Sequence, residues 1–144
     1  MATNLFAIEQ LLIERISANI PELKTVASAS VLSQQDDIIA QCDAVYTIPG
    51  TGDAEGTSHS VSVVQQWIIL VTVRKVFDTA DTDTTATKGG DLAGQIIKLL
   101  HNWEPSTDFF KMHFAGHGSA YFGAGYGEFP LYFNVKTVFR GLST

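Results

Sequence analysis

The sequence predicts a single α+β domain over residues 1–144, with a mixed or antiparallel sheet of long strands and a hairpin, flanked by two main helices. Three observations carry this reading. β-Branched and aromatic residues predominate from Ser60 to Phe77, the longest strand signal in the chain. Apolar residues recur at helical spacing near the N-terminus and again at Leu92–Trp103. A glycine- and aromatic-rich stretch followed by alternation at Phe129–Phe139 reads as a closing pair of strands. A chain of 144 residues suits one domain. Folding at this length buries roughly 70% of the unfolded chain's surface, enough for a core without staples.

In chain order, Leu5, Ile8, Leu12 and Ile16 share one helical face, with Glu9, Gln10, Glu14 and Arg15 on the other. Asn4 or Thr3 can cap this helix, and Pro21 stops it because the residue before a proline is pushed out of helical geometry. Lys24–Ser30 reads as a short strand, and Ser30 as the cap of a helical turn or two over Val31–Ala40. There Gln34 and Asp37 are expected to face water, and Leu32 and Ile39 to tuck under. Asp43–Ile48 is a strand ended by Pro49-Gly50, and Gly50–Ser60 a flexible loop.

The run Ser60–Phe77 places Val63, Gln65, Trp67, Ile69, Val71, Val73 and Phe77 on one face. Val64, Ile68, Leu70 and Val76 lie on the other, so the strand is expected to be covered on both sides over its middle. Fully extended it would reach roughly 60 Å, whereas a domain of this size is only about 37 Å across. The strand must therefore bend, bulge, or project as an arm toward a partner. Asp78–Lys88 reads as a mobile polar loop. Gly89-Gly90 leads into a second helix capped by Asp91, with Leu92, Ile96, Leu99, Leu100 and Trp103 as its buried stripe and Pro105 as its end. Phe109, Met112 and Phe114 begin an outgoing arm that Tyr121 and Phe122 continue. Gly116 and Gly118 suggest a bulge or kink in it. Gly123–Gly127 is the turn, and Leu131, Phe133, Val135 and Thr137 share one face of the return strand.

Composition narrows the function. Charged residues make up only 17% of the chain, against about 25% in typical soluble domains, which hints at surface covered by partners. The net charge is −6, and Arg74-Lys75 is the only adjacent basic pair, so sequence-reading of nucleic acid is disfavoured. Cys42 is the only cysteine, which excludes an intramolecular disulfide and a cysteine-rich metal site. The N-terminus lacks the pattern of a signal peptide, and no run approaches the ~18 apolar residues of a membrane span. A soluble protein folded in a cytoplasm is the expectation.

No constellation reads as a catalytic, cofactor or metal site. His113 and His117 lie four residues apart in a strand-like segment, which separates them by about 13 Å. Asp78, Asp81 and Asp83 lack the central glycine and terminal glutamate of a calcium loop. Asp36-Asp37 and the pair Glu9 and Glu14 fall on positions expected to be exposed, away from the perturbed cleft that acid–base work needs. Cys42 sits beside Asp43, which disfavours a thiolate. No serine lies in a Gly-x-Ser-x-Gly elbow. The glycines from Gly116 to Gly127 lead into a strand, without the Gly-Lys-Ser/Thr ending of a phosphate loop.

The order of features carries a resemblance. A strand at Ala44-Val45-Tyr46-Thr47-Ile48-Pro49 is followed by a long strand around Gln66-Trp67 and Val71-Thr72-Val73-Arg74. A polar loop follows, then a helix from Gly90-Asp91-Leu92 to Trp103-Glu104-Pro105, and a hairpin. This resembles the tail terminator (minor tail) proteins of long-tailed bacteriophages over roughly Ala44–Val135, with the N-terminal helix also in place. The motifs are diffuse, and their order carries the likeness. The resemblance implies a tail-terminator-like α+β fold and no enzymatic activity, in a protein made in the host bacterial cytoplasm and located at the head-proximal end of the virion tail. It implies a monomer or a hexameric ring that caps the tail tube protein, ends polymerisation and offers a surface to the head connector or neck protein. DNA would pass through the lumen without sequence-specific binding, a passage that an acidic balance suits.

The loop Gly50–His59 and the glycine–aromatic hairpin match no family motif. Interface residues are therefore expected on exposure grounds at Trp67, Arg74, Lys75, Asp78, Asp81, Asp83 and Lys88, with core packing the competing role for Trp67. Three alternatives stand beside this reading: a neck or head-completion protein, a small-ligand-binding α+β domain or enzyme using His113 or His117, and a host adaptor with no viral role.

Overall fold

Ile8, Leu12 and Ile16 fall on one face of helix α1 (Ile8–Asn19), and all three are fully buried. They come from a computed structural model that describes residues 4–34, 38–75, 77–79, 82–123 and 125–142. Leu5 lies before the helix and is exposed. The cap position is Ala7, while Asn4 Oδ1 accepts the Phe6 N–H at 2.9 Å and so organises the turn that precedes the helix. Thr3 lies outside the described residues. Ile20, with Pro21 behind it, ends α1, and its N–H closes on the Ile16 carbonyl at 2.9 Å.

The chain then forms β1 (Thr25–Ser28), a 3-10 segment (Ala29–Gln34), the short α2 (Ile38–Gln41) and β2 (Ala44–Gly56). Ser30 thus sits inside the 3-10 segment instead of capping a helix. The expectations for the side chains of Gln34 and Asp37 fall outside the described residues, and Leu32 and Ile39 are half-buried. β1 runs parallel to β2, pairing Thr25 with Ala44.

β2 does not stop at Pro49-Gly50, and of the expected loop Gly50–Ser60 only residues 57–59 lie outside the strands. The strand continues to Gly56 and pairs antiparallel with β3 (Ser60–Arg74) down to Gly56 opposite Val61. A register shift between Pro49 and Gly52 absorbs the proline at the outer edge of the sheet, where no ladder N–H is required of it. Gly56 closes the hairpin tightly, since a Cβ there would stand 2.4 Å from the Ser60 carbonyl oxygen. Glycine and charge pointed to a loop, but cross-strand pairing overrode the low β-propensity of Gly50, Gly52, Asp53 and Gly56.

The described part of the polar segment Asp78–Lys88 is also not a loop. β4 (Phe77–Thr79) pairs with β5 (Thr82–Asp83), and α3 (Thr85–Leu100) begins well before Asp91. Gly89 and Gly90 are helical, so Asp91 is not the cap. A glycine inside a helix costs about 1 kcal/mol relative to alanine, and at Gly89 packing explains it. A Cβ there would lie 2.3 Å from the Phe129 ring, so the bare backbone lets α3 settle onto the sheet. α3 buries Leu92, Ile96 and Leu100 as expected, while Leu99 and Trp103 are only partly buried.

The remaining strands are β6 (His113–His117), β7 (Tyr121–Phe122) and β8 (Tyr126–Arg140). The main sheet has the order β1-β2-β3-β8-β6, with β7 also on β8. The expected kink appears as a register shift between Phe114 and Gly116, with Gly116 at φ 124°, a conformation glycine adopts without strain. The fold is α+β with a mixed sheet, and α1 and α3 share one face of it. Their apolar stripes meet Trp67, Ile69, Val71 and Val73 of β3 and Leu131, Phe133 and Val135 of β8.

Candidate assembly surface

Side-chain alternation sends the odd-numbered residues of β3 into the core under the helices and the even-numbered ones to the opposite face. That face is not closed in the way the odd face is. Ile68 and Leu70 are half-buried and Val64 is 39% exposed, whereas Trp67, Ile69, Val71 and Val73 are fully buried. The two-sided covering expected for this strand is therefore complete on the helix side and partial on the other, where Thr72 is buried but Ile68 and Leu70 only half so. Toward the β2–β3 turn the sheet extends beyond the helices as an arm. Residues 51–56 of β2 are all exposed there, and β8 accompanies the arm to Arg140, opposite Ser60. β3 spans 15 residues, or about 50 Å, and the projecting arm accounts for its excess over the domain's width.

The two long edges of the arm differ. Along β8 the outer side is occupied: Phe109 bridges Thr137, and the Phe110 N–H donates to the Lys136 carbonyl at 2.9 Å. β6 is covered in turn, since the Phe114 N–H donates to His101 Nδ1 at 3.0 Å and Met112 exchanges hydrogen bonds with Asn102 and Trp103. Along β2, by contrast, β1 pairs only with Ala44–Thr47. Among the described residues no strand lines the outer side of Gly52–Gly56. An open strand edge is a template for another chain, and Asp53 and Glu55 stand on this one.

Cross-strand register aligns these edges. Asp53 pairs with Val64, and Val64 with Lys136, so the three form one row across the helix-free face. At the far end of the row Phe110 is 55% exposed, with the Lys136 ammonium 5.2 Å from its ring centroid. Val64, Phe110, Lys111, His113, Asn134 and Lys136 surround a hollow of about 420 Å³ that no carboxylate lines. Apolar Val64 and Phe110 line it together with the two cations Lys111 and Lys136.

The residues expected at interfaces fall into two groups. Trp67 is fully buried, with Phe6 edge-on to it at 6.1 Å. Its indole N–H and Gln65 Oε1 are buried without a hydrogen-bond partner among the described residues. Arg74, Lys75 and Lys88 gather instead at the end of the sheet away from the arm. Asp43 organises that end: its carboxylate accepts the Arg74 N–H at 3.0 Å and pairs with Lys88 Nζ at 2.7 Å. The Arg74 guanidinium donates to the Ile39 carbonyl at 3.3 Å, and the Lys75 N–H to that of Gly125 at 2.9 Å. Asp78 and Asp83 belong to the adjoining β4–β5 ribbon, and Asp81 lies outside the described residues. Nearby, the Tyr126 phenol is shifted above its ordinary 10.0 by desolvation, with Glu128, Tyr121 and Cys42 adding to the effect.

Sequence reasoning missed Asp53, Glu55, Phe110, Lys111 and Lys136. Val64 on the second face of β3 was the available signal, but the register that joins it to Asp53 and Lys136 is tertiary. His113 and His117 are both exposed, and among the described residues no three His, Cys, Asp or Glu side chains converge on a metal-sized site. No helix of the described residues is long and apolar enough to cross a membrane.

A family model described as phage tail terminator protein matches residues 1–144. Among solved structures, a chain from the virion of a native gene transfer agent (GTA) particle superposes with a TM-score of 0.55 at 13% identity. The superposition covers 96% of this chain and 100% of that one, and at such identity the likeness is one of fold. No curated protein matches.

Proposed function

Because this chain belongs to the phage tail terminator protein family, a family of structural tail components, we propose that copies of it form a ring, six-membered, on the head-proximal end of the tail tube. The ring ends tube polymerisation and offers the head connector its joining surface, and the chain performs no catalysis. The observation that carries this reading is the β2–β3 arm with its open edge and half-covered face. These are surfaces that a freestanding body of this size leaves unused and that stacked rings cover. DNA crosses the lumen without sequence-specific contacts, consistent with a net charge of −6.

Particles assembled without the protein test the reading. Overlong, headless tails by electron microscopy are the expected result, with caps restored on tube ends when purified protein is added. Tails of normal length that merely fail to join heads would assign the chain to the neck instead. Lysine at Asp81 and Asp83 with unchanged assembly and DNA passage would remove the electrostatic part of the proposal.

A further inference from the structure

We propose that neighbouring copies join edge to edge through the arm. The open outer side of β2 at Gly52–Gly56 in one copy meets the hollow around Phe110, Lys111 and Lys136 in the next. The inference rests on the ring reading and names the surface that builds the ring.

Three observations select a second copy as the occupant. First, the hollow needs an anionic partner with little bulk. Its lining joins the cations Lys111 and Lys136 to apolar Val64 and Phe110, and the acidic Glu104 and Asp108 line only the adjoining hollow beyond Phe110 and Lys111. The β2 edge supplies that chemistry. Asp53 and Glu55 form no ion pair among the described residues, and Ala54 between them and Gly52 and Gly56 on either side are small enough to let the backbone approach. Second, donor and receiver stand at opposite ends of the same cross-sheet row, Asp53–Val64–Lys136, and on the same face. A copy displaced sideways along that row brings its carboxylates to the neighbour's ammonium groups without a shift along the strands. Third, the two patches are different surfaces on opposite edges of the sheet, one open and one occupied by the chain's own residues 109–113. Such a contact is heterologous, and a heterologous contact whose rotation closes makes a ring rather than a two-fold dimer. Within one chain Lys136 and Glu55 border a common shallow depression without forming an ion pair, and Lys136 rests over the Phe110 ring, so each keeps a charge that a carboxylate or ammonium of a neighbour can meet.

The test is charge reversal in the full chain, with oligomer mass read by native mass spectrometry and folding by circular dichroism. Asp53→Lys with Glu55→Lys, and separately Lys111→Glu with Lys136→Glu, should each stay folded and associate roughly tenfold or more weakly, as two exposed attractions become repulsions. The chain carrying all four changes, or a mixture of the two double variants, should recover association. Double variants that assemble like the unaltered protein, or a fourfold variant that fails to recover, would overturn the edge contact while leaving the ring reading intact. Lysine variants that assemble normally but lose DNA would reassign the hollow to nucleic acid. An unaltered protein that stays monomeric with and without tail tubes would remove the ring and this contact together.

Discussion

Gly89, Gly90 and Gly94 in α3 offer a controlled comparison, since a single methyl group meets very different surroundings at each. Alanine should gain about 1 kcal/mol over glycine at any interior helical position. At Gly90 and Gly94 a Cβ meets nothing within 4 Å, so Gly90→Ala and Gly94→Ala should each stabilise the fold by about that amount. At Gly89 the Cβ would stand 2.3, 2.5 and 2.6 Å from three carbons of the Phe129 ring. That ring is held edge-on by Phe122 at 5.8 Å between centroids, so yielding to the methyl disturbs a second aromatic. Overpacking of this kind costs about 1–3 kcal/mol, and so severe an approach belongs at the upper end. Gly89→Ala should therefore end about 2 kcal/mol below the unaltered protein and about 3 kcal/mol below Gly94→Ala. In thermal unfolding the two variants should melt roughly 10 °C apart. Adding Phe129→Leu should return part of the loss in Gly89→Ala, because the clash is specific to the ring. A Gly89→Ala variant that melts at or above the unaltered protein would refute the claim that this glycine exists for close packing of α3 on β8.

Trp67→Ala should cost about 3–5 kcal/mol and weaken assembly only through unfolding, as denaturant titration beside mass measurement will reveal. Asp43→Ala removes both the Lys88 ion pair and the acceptor for the Arg74 N–H, and should cost about 1–2 kcal/mol. Lys88→Ala should cost less than about 1 kcal/mol because its side chain is partly solvated and leaves no backbone donor unpaired, an ordering that urea melts can check. For Tyr126, both folded and unfolded chains hold the phenolic proton below pH 10. Above it the unfolded chain ionises first, because the folded phenol is shifted upward, so stability should fall as pH rises past 10.0. Absorbance titration of Tyr126→Phe against the unaltered protein should show the late-titrating tyrosine missing.

Much of the core was legible from residue order, because local periodicity reports which face of an element is apolar whatever it later packs against. Ile8, Leu12 and Ile16, the odd-numbered face of β3, and Leu92, Ile96 and Leu100 all lie where their spacing put them. The glycine bulge in the outgoing arm was readable for the same reason, since few other residues accept that backbone. What failed was inference from composition. Gly50–Gly56 and Asp78–Lys88 look like loops residue by residue, yet one is a paired strand and the other becomes a ribbon and the first turn of a helix. Pairing with β3 and the seat of Gly89 on Phe129 outweigh weak local preferences, and neither partner is near in sequence.

By itself, then, the order of residues determined the fold class, the identity of the buried faces, and a central strand longer than its domain is wide. The tertiary structure alone decided where that excess length goes and which edge of the arm is left open. It also decided that Asp53, Val64 and Lys136 stand in one row. Periodicity is a property of a segment, but register, edge coverage and the juxtaposition of distant charges are properties of pairs of segments. No single stretch of chain contains them.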